Sequence, residues 1–264
     1  MKTLYAIPSY KCNLNCPHCE VSNQEFDESF MLFMGELQAA EAENIVLFGG
    51  EPLINKRCLW EILKLGKVTT ISTNLTLWES GLEDILKQAN VSIATSWNPH
   101  RFSVTQYKKW LQAIGALTSK DVPVRVLITL TRDLFEMDMQ DVLDIFMDME
   151  KAGADEFLFE HYVGENECNE EADEWLCRFH DESIGNIKMT NLIEERLTNW
   201  QCNCDDVWTL EPSGELRKGC PQLASGVHVV NECLYCDKVG YCRPCVLQRT
   251  CSYPKKLAAK LGIK

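Results

Sequence analysis

The chain contains no apolar run near the ~20 residues of a membrane span, and its N-terminus lacks the charged, apolar and small-residue succession of a signal peptide. It also lacks internal repeats and low-complexity tracts. The expected setting is therefore the cytoplasm, a reducing compartment where disulfides are scarce and clustered thiols usually mean metal or redox chemistry. Positive charge is in short supply too, with 26 Lys and Arg against 39 Asp and Glu and a net charge of −13. The deficit is concentrated: residues 1–199 carry 17 basic and 33 acidic side chains, whereas the remainder carries nine and six. Such an acidic body excludes a broad face for duplex nucleic acid, whose nonspecific binding needs clustered cations. Lys255, Lys256, Lys260 and Lys264 form a basic tail at 255–264 that reads as a solvated helix face or a local patch. What the chain does have in excess is cysteine, fourteen in all.

Three of these stand together as Cys12, Cys16 and Cys19 in CNLNCPHC, between an apolar strand pattern and a helical one. A [4Fe-4S] cubane ordinarily takes four thiolates. A C-x3-C-x2-C loop alone leaves one iron open to chelation by a small molecule bearing an amine and a carboxylate, such as S-adenosylmethionine (SAM). The competing reading is a Cys3His zinc site completed by His18. Adjacent His18 and Cys19 do not readily face one metal, and the spacing is tighter than in the paired knuckles of zinc ribbons.

Elsewhere β-rich apolar runs alternate with helical patterns, which predicts six βα units and a parallel sheet. The strands are expected at Thr3–Ser9, Asn44–Gly49, Lys67–Thr73, Val91–Ser96, Val122–Leu130 and Glu156–Tyr162. Helices are expected near 26–42, 57–65, 78–88, 103–117 and 136–152. Continuous apolar runs such as Ile45–Phe48 suit strands covered on both faces. Right-handed crossovers then bring every strand's C-terminal end, and with it the cysteine loop, to one rim.

At the end of the second strand stands GGEP, Gly49, Gly50, Glu51 and Pro52, whose glycines allow a sharp turn and close approach of the backbone to a ligand. Together with the cysteine loop, this motif resembles the radical S-adenosylmethionine superfamily. The resemblance implies a partial (β/α)6 TIM-like barrel over about residues 1–165. It further implies that Cys12, Cys16 and Cys19 hold a SAM-binding [4Fe-4S] cluster and that GGEP receives the methionine amino group. An electron from a donor such as a flavodoxin or ferredoxin would then split the cofactor to a 5′-deoxyadenosyl radical, which takes hydrogen from a C–H bond. By the same resemblance the strand ends supply ribose and carboxylate contacts, here Ser72, Thr73 and Asn74 and then Ser96 and Asn98, although such groups also cap helices. The slot of His18 is usually aromatic in the family, and an imidazole can still stack on adenine. Arg125, a cation inside an apolar strand, needs an anionic answer. The cofactor carboxylate, an internal Glu or outward exposure would each supply one.

Residues 166–200 read as an acidic, mostly helical connector, and 201–254 as a Cys-rich unit unable to build an apolar core alone. Its cysteines are Cys202, Cys204, Cys220, Cys233, Cys236, Cys242, Cys245 and Cys251, with Gly214 in the hairpin EPSGELRKGC. This pattern resembles the SPASM/twitch-type extension, with the gap from Gly214 to Cys220 one residue longer than usual and the third gap of the cluster one shorter. By that likeness Cys202, Cys204, Cys220 and Cys245 bind one auxiliary [4Fe-4S] cluster, and Cys233, Cys236, Cys242 and Cys251 another. Two zinc sites are the alternative for the tail. Cys58, Cys168 and Cys177 have no partners at metal spacing and read as ordinary thiols.

The expected function is a radical SAM oxidoreductase performing a dehydrogenation or cross-link on a peptide or protein side chain. Glu160, His161 and Tyr162, at the end of the sixth strand, are candidate proton acceptors. Because the first strand starts at Thr3, no N-terminal recognition domain is expected. A separate recognition partner would fill that role, or the substrate is a small metabolite or nucleoside. A zinc-stabilised, non-enzymatic interaction module is the reading from another class.

Overall fold

The computed structural model describes residues 3–16, 19, 28–161, 171–172, 174–176, 178–179 and 207–218, excepting the side chains of 160 and 161. Six strands alternate with helices as the sequence implies: β1 (Thr3–Ala6), α1 (Phe30–Ala39), β2 (Asn44–Leu47), α2 (Lys56–Leu63), β3 (Thr70–Ser72), α3 (Leu82–Gln88), β4 (Ser92–Trp97), α4 (Val104–Thr118), β5 (Val124–Leu130), α5 (Arg132–Phe135), α6 (Met139–Lys151) and β6 (Glu156–His161). Each of these strands pairs in parallel with its neighbour in the chain, in the order β6-β5-β4-β3-β2-β1. This is a partial TIM-like barrel. β1 is shorter than expected because Pro8 has no amide hydrogen to extend the ladder beyond Ile7.

The helices α2, α4 and α6 are amphipathic and bury one stripe on the outer face of the sheet. In α4, Ser103 and Gln106 form a reciprocal capping box, and Trp110, Ala113, Ile114 and Leu117 are buried at helical spacing. Asp138 caps α6, which buries Met139, Val142, Leu143, Phe146 and Met149. Trp110 donates from Nε1 to Thr95 Oγ1 at 2.9 Å, and Phe146 packs on Phe157 and Phe159, so these strand residues face the helices. Strand side chains alternate, and the opposite, concave face therefore carries Thr70, Ser72, Ser92, Ala94, Ser96, Arg125 and Thr129.

Two features extend the sheet's surroundings. Residues 171–179, within the expected connector, are helical where described and bury Ala172, Trp175, Leu176 and Phe179. Trp175 and Phe179 stack at 5.1 Å and join the aromatic cluster of Phe146 and Phe159. Within the expected Cys-rich unit, β7 (Val207–Leu210) lies parallel to β1, with Thr3 opposite Val207 and Ala6 opposite Leu210. It turns back as antiparallel β8 (Leu216–Lys218). Gly214 makes that turn with a φ of 89°, and a β-carbon there would lie 2.8 Å from Leu32 Cβ on α1. The sheet thus has eight strands among the described residues, with a hairpin continuing it beyond β1. The cysteines from Cys202 to Cys251 lie outside the described residues.

Candidate functional site

The loops that follow β1, β2, β3, β4 and β7 meet on the C-terminal rim. Gly50 N–H donates to Ser9 O at 3.1 Å and Glu51 N–H to Lys11 O at 2.8 Å, so GGEP is bonded directly to the chain entering the cysteine loop. The contact explains both glycines. A β-carbon on Gly49 would lie 2.6 Å from Ser9 O, and one on Gly50 would lie 2.5 Å from Tyr10 O and closer still to Lys11 O. It is therefore the cysteine loop's backbone that approaches them here, where the sequence suggested close approach of a ligand.

Glu51 is 4% exposed, and its carboxylate accepts from Leu53 N–H at 2.9 Å, Thr73 Oγ1 at 2.6 Å and Asn74 N–H at 2.7 Å. Burial raises its pKa, opposed by these hydrogen bonds and by the charge of Arg101. The side chain thus ties the loop after β2 to the end of β3. Leu75, buried next to Asn74, takes a left-handed φ of 57°, a costly conformation for a bulky residue. Its N–H is held by Thr73 Oγ1 at 3.1 Å. That turn directs Asn74 back toward the cysteines.

Asn74 Nδ2 donates to Asn13 Oδ1 at 3.0 Å and approaches Cys12 Sγ at 3.9 Å, while Leu14 N–H points at the same sulfur from 3.4 Å. Thr76 closes the network through Asn74 Oδ1 and Asn13 Nδ2. Cys12, Cys16 and Cys19 are all free thiols of intermediate burial. Burial raises the pKa of Cys12 and Cys16; Cys12 is raised further by the other two thiols, and Arg101 opposes the shift at Cys16. Among the described residues no three His, Cys, Asp or Glu side chains converge on a single-ion position. His18 lies outside the described residues.

Arg101, in the loop after β4, is the site cation that the sequence reading missed. Its Nη1 donates to Ser96 Oγ at 2.7 Å, and its guanidinium lies 5.6 Å from the Phe102 ring centroid. Nε is buried with no hydrogen-bond partner among the described residues. Arg125 is answered elsewhere: it pairs with its register neighbour Glu156, Nε to Oε2 at 2.5 Å, near the N-terminal end of β5. The internal glutamate is thus its partner, several residues down the strand from the rim. Ser72 and Ser96 lie at the rim on the concave face, and Asn98 is buried beside them. Glu160 and His161 end β6 on the same rim, and Tyr162 lies outside the described residues.

On the other side of the cysteine loop, Tyr10 and Glu211 are both fully buried, and Tyr10 Oη donates to Glu211 Oε2 at 2.6 Å. Burial raises the pKa of each. Glu211 follows β7 directly, so this bond spans 201 residues of the sequence to join the hairpin to the loop.

A parallel sheet wound in chain order with its cysteine loop at the C-terminal rim defines the class, a partial TIM-like barrel. Within that class the solved structures it resembles include those of Streptococcus suis SuiB. The SAM-bound form matches with a TM-score of 0.60 and 14% identity over 86% of this chain and 59% of SuiB. SuiB bound to its precursor peptide SuiA also matches at 0.60 and 14%, over 86% and 60%. The chain thus spans about three fifths of the length of SuiB, and at this identity the likeness is one of fold. No protein-family model and no curated protein matches the sequence.

Proposed function

We propose that this protein is a radical SAM enzyme that oxidatively modifies a peptide or protein side chain. The carrying observation is the lock between GGEP and the chain entering the cysteine loop, at Ser9 and Lys11, on the rim of a barrel whose fold neighbour was crystallised with SAM. The residues fit a thiolate-held cluster: Cys12 Sγ already receives Leu14 N–H and the Asn74 amide, donors that stabilise negative sulfur. Cys12, Cys16 and Cys19 would hold the cluster. The carboxylate of Glu51 is taken up by three donors, so GGEP would serve an ammonium through its backbone carbonyls. Arg101 replaces Arg125 as the cation for a carboxylate, because its Nε is unmatched and its charge reaches Cys16. Ser72 and Ser96 would meet sugar hydroxyls. When bound and reduced, the cluster and SAM together supply a 5′-deoxyadenosyl radical.

The peptide reading draws support from SuiB, crystallised with a precursor peptide. The concave face is itself lined by small side chains, the polar Thr70, Ser72, Ser92 and Ser96 with Ala94 among them, which suits a polar chain beside β3 and β4. Of the two residues that end β6, Glu160 keeps the concave register of Thr129 and would accept the proton released by an oxidation, whereas His161 keeps the register of the helix-facing Phe157 and Phe159; the tail cysteines would hold auxiliary clusters to take the electron. A reducing cytoplasm with a flavodoxin- or ferredoxin-like donor suits that chemistry, and among the described residues no helix is long and apolar enough to cross a membrane.

Anaerobic reconstitution followed by iron and sulfide counts tests the reading, with about twelve irons expected for three cubanes and about eight for two. Dithionite and SAM should then yield 5′-deoxyadenosine. Deuterium appearing in that product from labelled peptides, and not from nucleosides, would fix the substrate class. Zinc as the sole metal would overturn the proposal.

A further inference from the structure

The cysteine loop is gripped from two sides, by GGEP on one and by a residue some two hundred positions away on the other. Tyr10 stands two residues before Cys12, and its ring is fully buried with Ile7 in a small cluster of its own, against which Cys19 and Phe48 pack. Its backbone carbonyl abuts Gly50. Its hydroxyl reaches the opposite way, to Glu211 Oε2 at 2.6 Å. Glu211 is 0% exposed, and its Oε1 has no hydrogen-bond partner among the described residues. A fully buried carboxylate is costly to place. The hairpin that carries it is anchored by the β1–β7 ladder, by Ser29 N–H to Pro212 O at 2.9 Å and by Gly214 against α1.

We propose that Glu211 is a positioning residue for the three-cysteine loop, setting the placement of Cys12 and Cys19 through Tyr10. By this route the hairpin between Cys204 and Cys220 of the cysteine-rich tail governs the geometry of the N-terminal thiols. The inference rests on the proposed function only in naming what the loop holds. The geometry of the thiols themselves is open to measurement without metal.

The test uses the full chain, freed of metal, and compares iodoacetamide labelling rates of Cys12, Cys16, Cys19 and Cys58 by peptide mass spectrometry. Glu211→Leu and Tyr10→Phe should each speed labelling of Cys12 and Cys19 about tenfold, the effect of losing one buried hydrogen bond of ~1.4 kcal/mol. Glu211→Gln, whose amide oxygen still accepts from Tyr10, should stay within about twofold of the parent, and Tyr10→Phe with Glu211→Leu should add nothing. On reconstituted protein, the electron paramagnetic resonance signal of the reduced N-terminal cluster should change in Glu211→Leu and return in Glu211→Gln. Unchanged rates in Glu211→Leu, equal effects of Leu and Gln, or Cys58 accelerating in parallel would each overturn the proposal. A parent protein that takes up no iron would sink the enzymatic reading while leaving the labelling comparison intact.

Discussion

Gly50 lies against Lys11 so closely that a β-carbon on Gly50 has no space beside the Lys11 carbonyl, which itself accepts from Glu51 N–H at 2.8 Å. The obstruction is backbone on both sides, so no side chain can turn away to relieve it. Gly50→Ala should therefore push the cysteine loop off the rim and cost about 1–3 kcal/mol by overpacking. The variant is expected to melt several degrees lower and to retain less than half the iron of the parent after reconstitution. Gly35→Ala, inside α1 at a site with nothing within 4 Å, serves as the control: it should leave the iron content unchanged and hold or slightly raise the melting temperature, since Ala favours a helix interior over Gly by about 0.5–1 kcal/mol.

Glu51 offers a second lever on the same joint. Removing its carboxylate by Glu51→Ala strands three donors, Leu53 N–H, Thr73 Oγ1 and Asn74 N–H, in a buried site. The expected loss is about 3 kcal/mol in urea unfolding. Glu51→Gln keeps the volume and one acceptor oxygen, and should recover about half of that. An equal loss for both variants would show that charge, and not acceptor geometry, holds the joint.

Arg101 and Arg125 make a matched pair for testing which cation serves the ligand. Arg125 is engaged by Glu156 well down the strand, whereas Arg101 has Nε unmatched at the rim. On cluster-loaded protein, Arg101→Ala should weaken SAM binding about tenfold or more by calorimetry, since a charge-assisted hydrogen bond is worth ~1.5–3 kcal/mol. Arg125→Ala should leave binding within about twofold.

These residues also show what the sequence could and could not reveal. The six βα units were legible because continuous apolar strands and amphipathic helices carry periodic signals, and the rim motifs were legible because their spacing is short. Arg101 was not, since a cation in a loop has no period and only the fold brings it beside Ser96 and Cys16. For Arg125, alternation along the strand gave its neighbours but not its cross-strand partner, which depends on the register of β5 with β6. The strand Val207–Leu210 is only four residues long amid cysteines, so the composition around it suggested a metal-held segment. Among the described residues its anchor is the open edge of β1, which no local pattern records.

The residues around 175 lie in a stretch whose acidity suggested a connector, yet their aromatic side chains finish the outer layer behind β6. Phe179 packs on Phe146 at 4.9 Å and on Phe159 at 5.5 Å and is fully buried. Phe179→Ala should cost about 3–5 kcal/mol. A truncation before residue 171 should accordingly aggregate or unfold, where a chain ending at a mere connector would stay folded.

Glu211 gives stability a pH dependence opposite to that of most surface carboxylates. Burial raises its pKa above the ordinary value near 4.5, the Tyr10 hydrogen bond and the Arg217 charge oppose the shift, and Glu215 adds to it. The folded state thus holds the Glu211 proton more tightly than the unfolded chain does. Its contribution to stability is fully present below about pH 4.5 and is lost as pH rises through the raised folded value. Glu51 is shifted in the same direction and contributes alike, so the two must be separated by difference. Urea-unfolding free energies of the parent minus those of Glu211→Gln, measured across that window, should fall steadily with rising pH and flatten above it. A difference that rose with pH would mean that Glu211 is held ionised, and that the attraction of Arg217 outweighs the cost of burial.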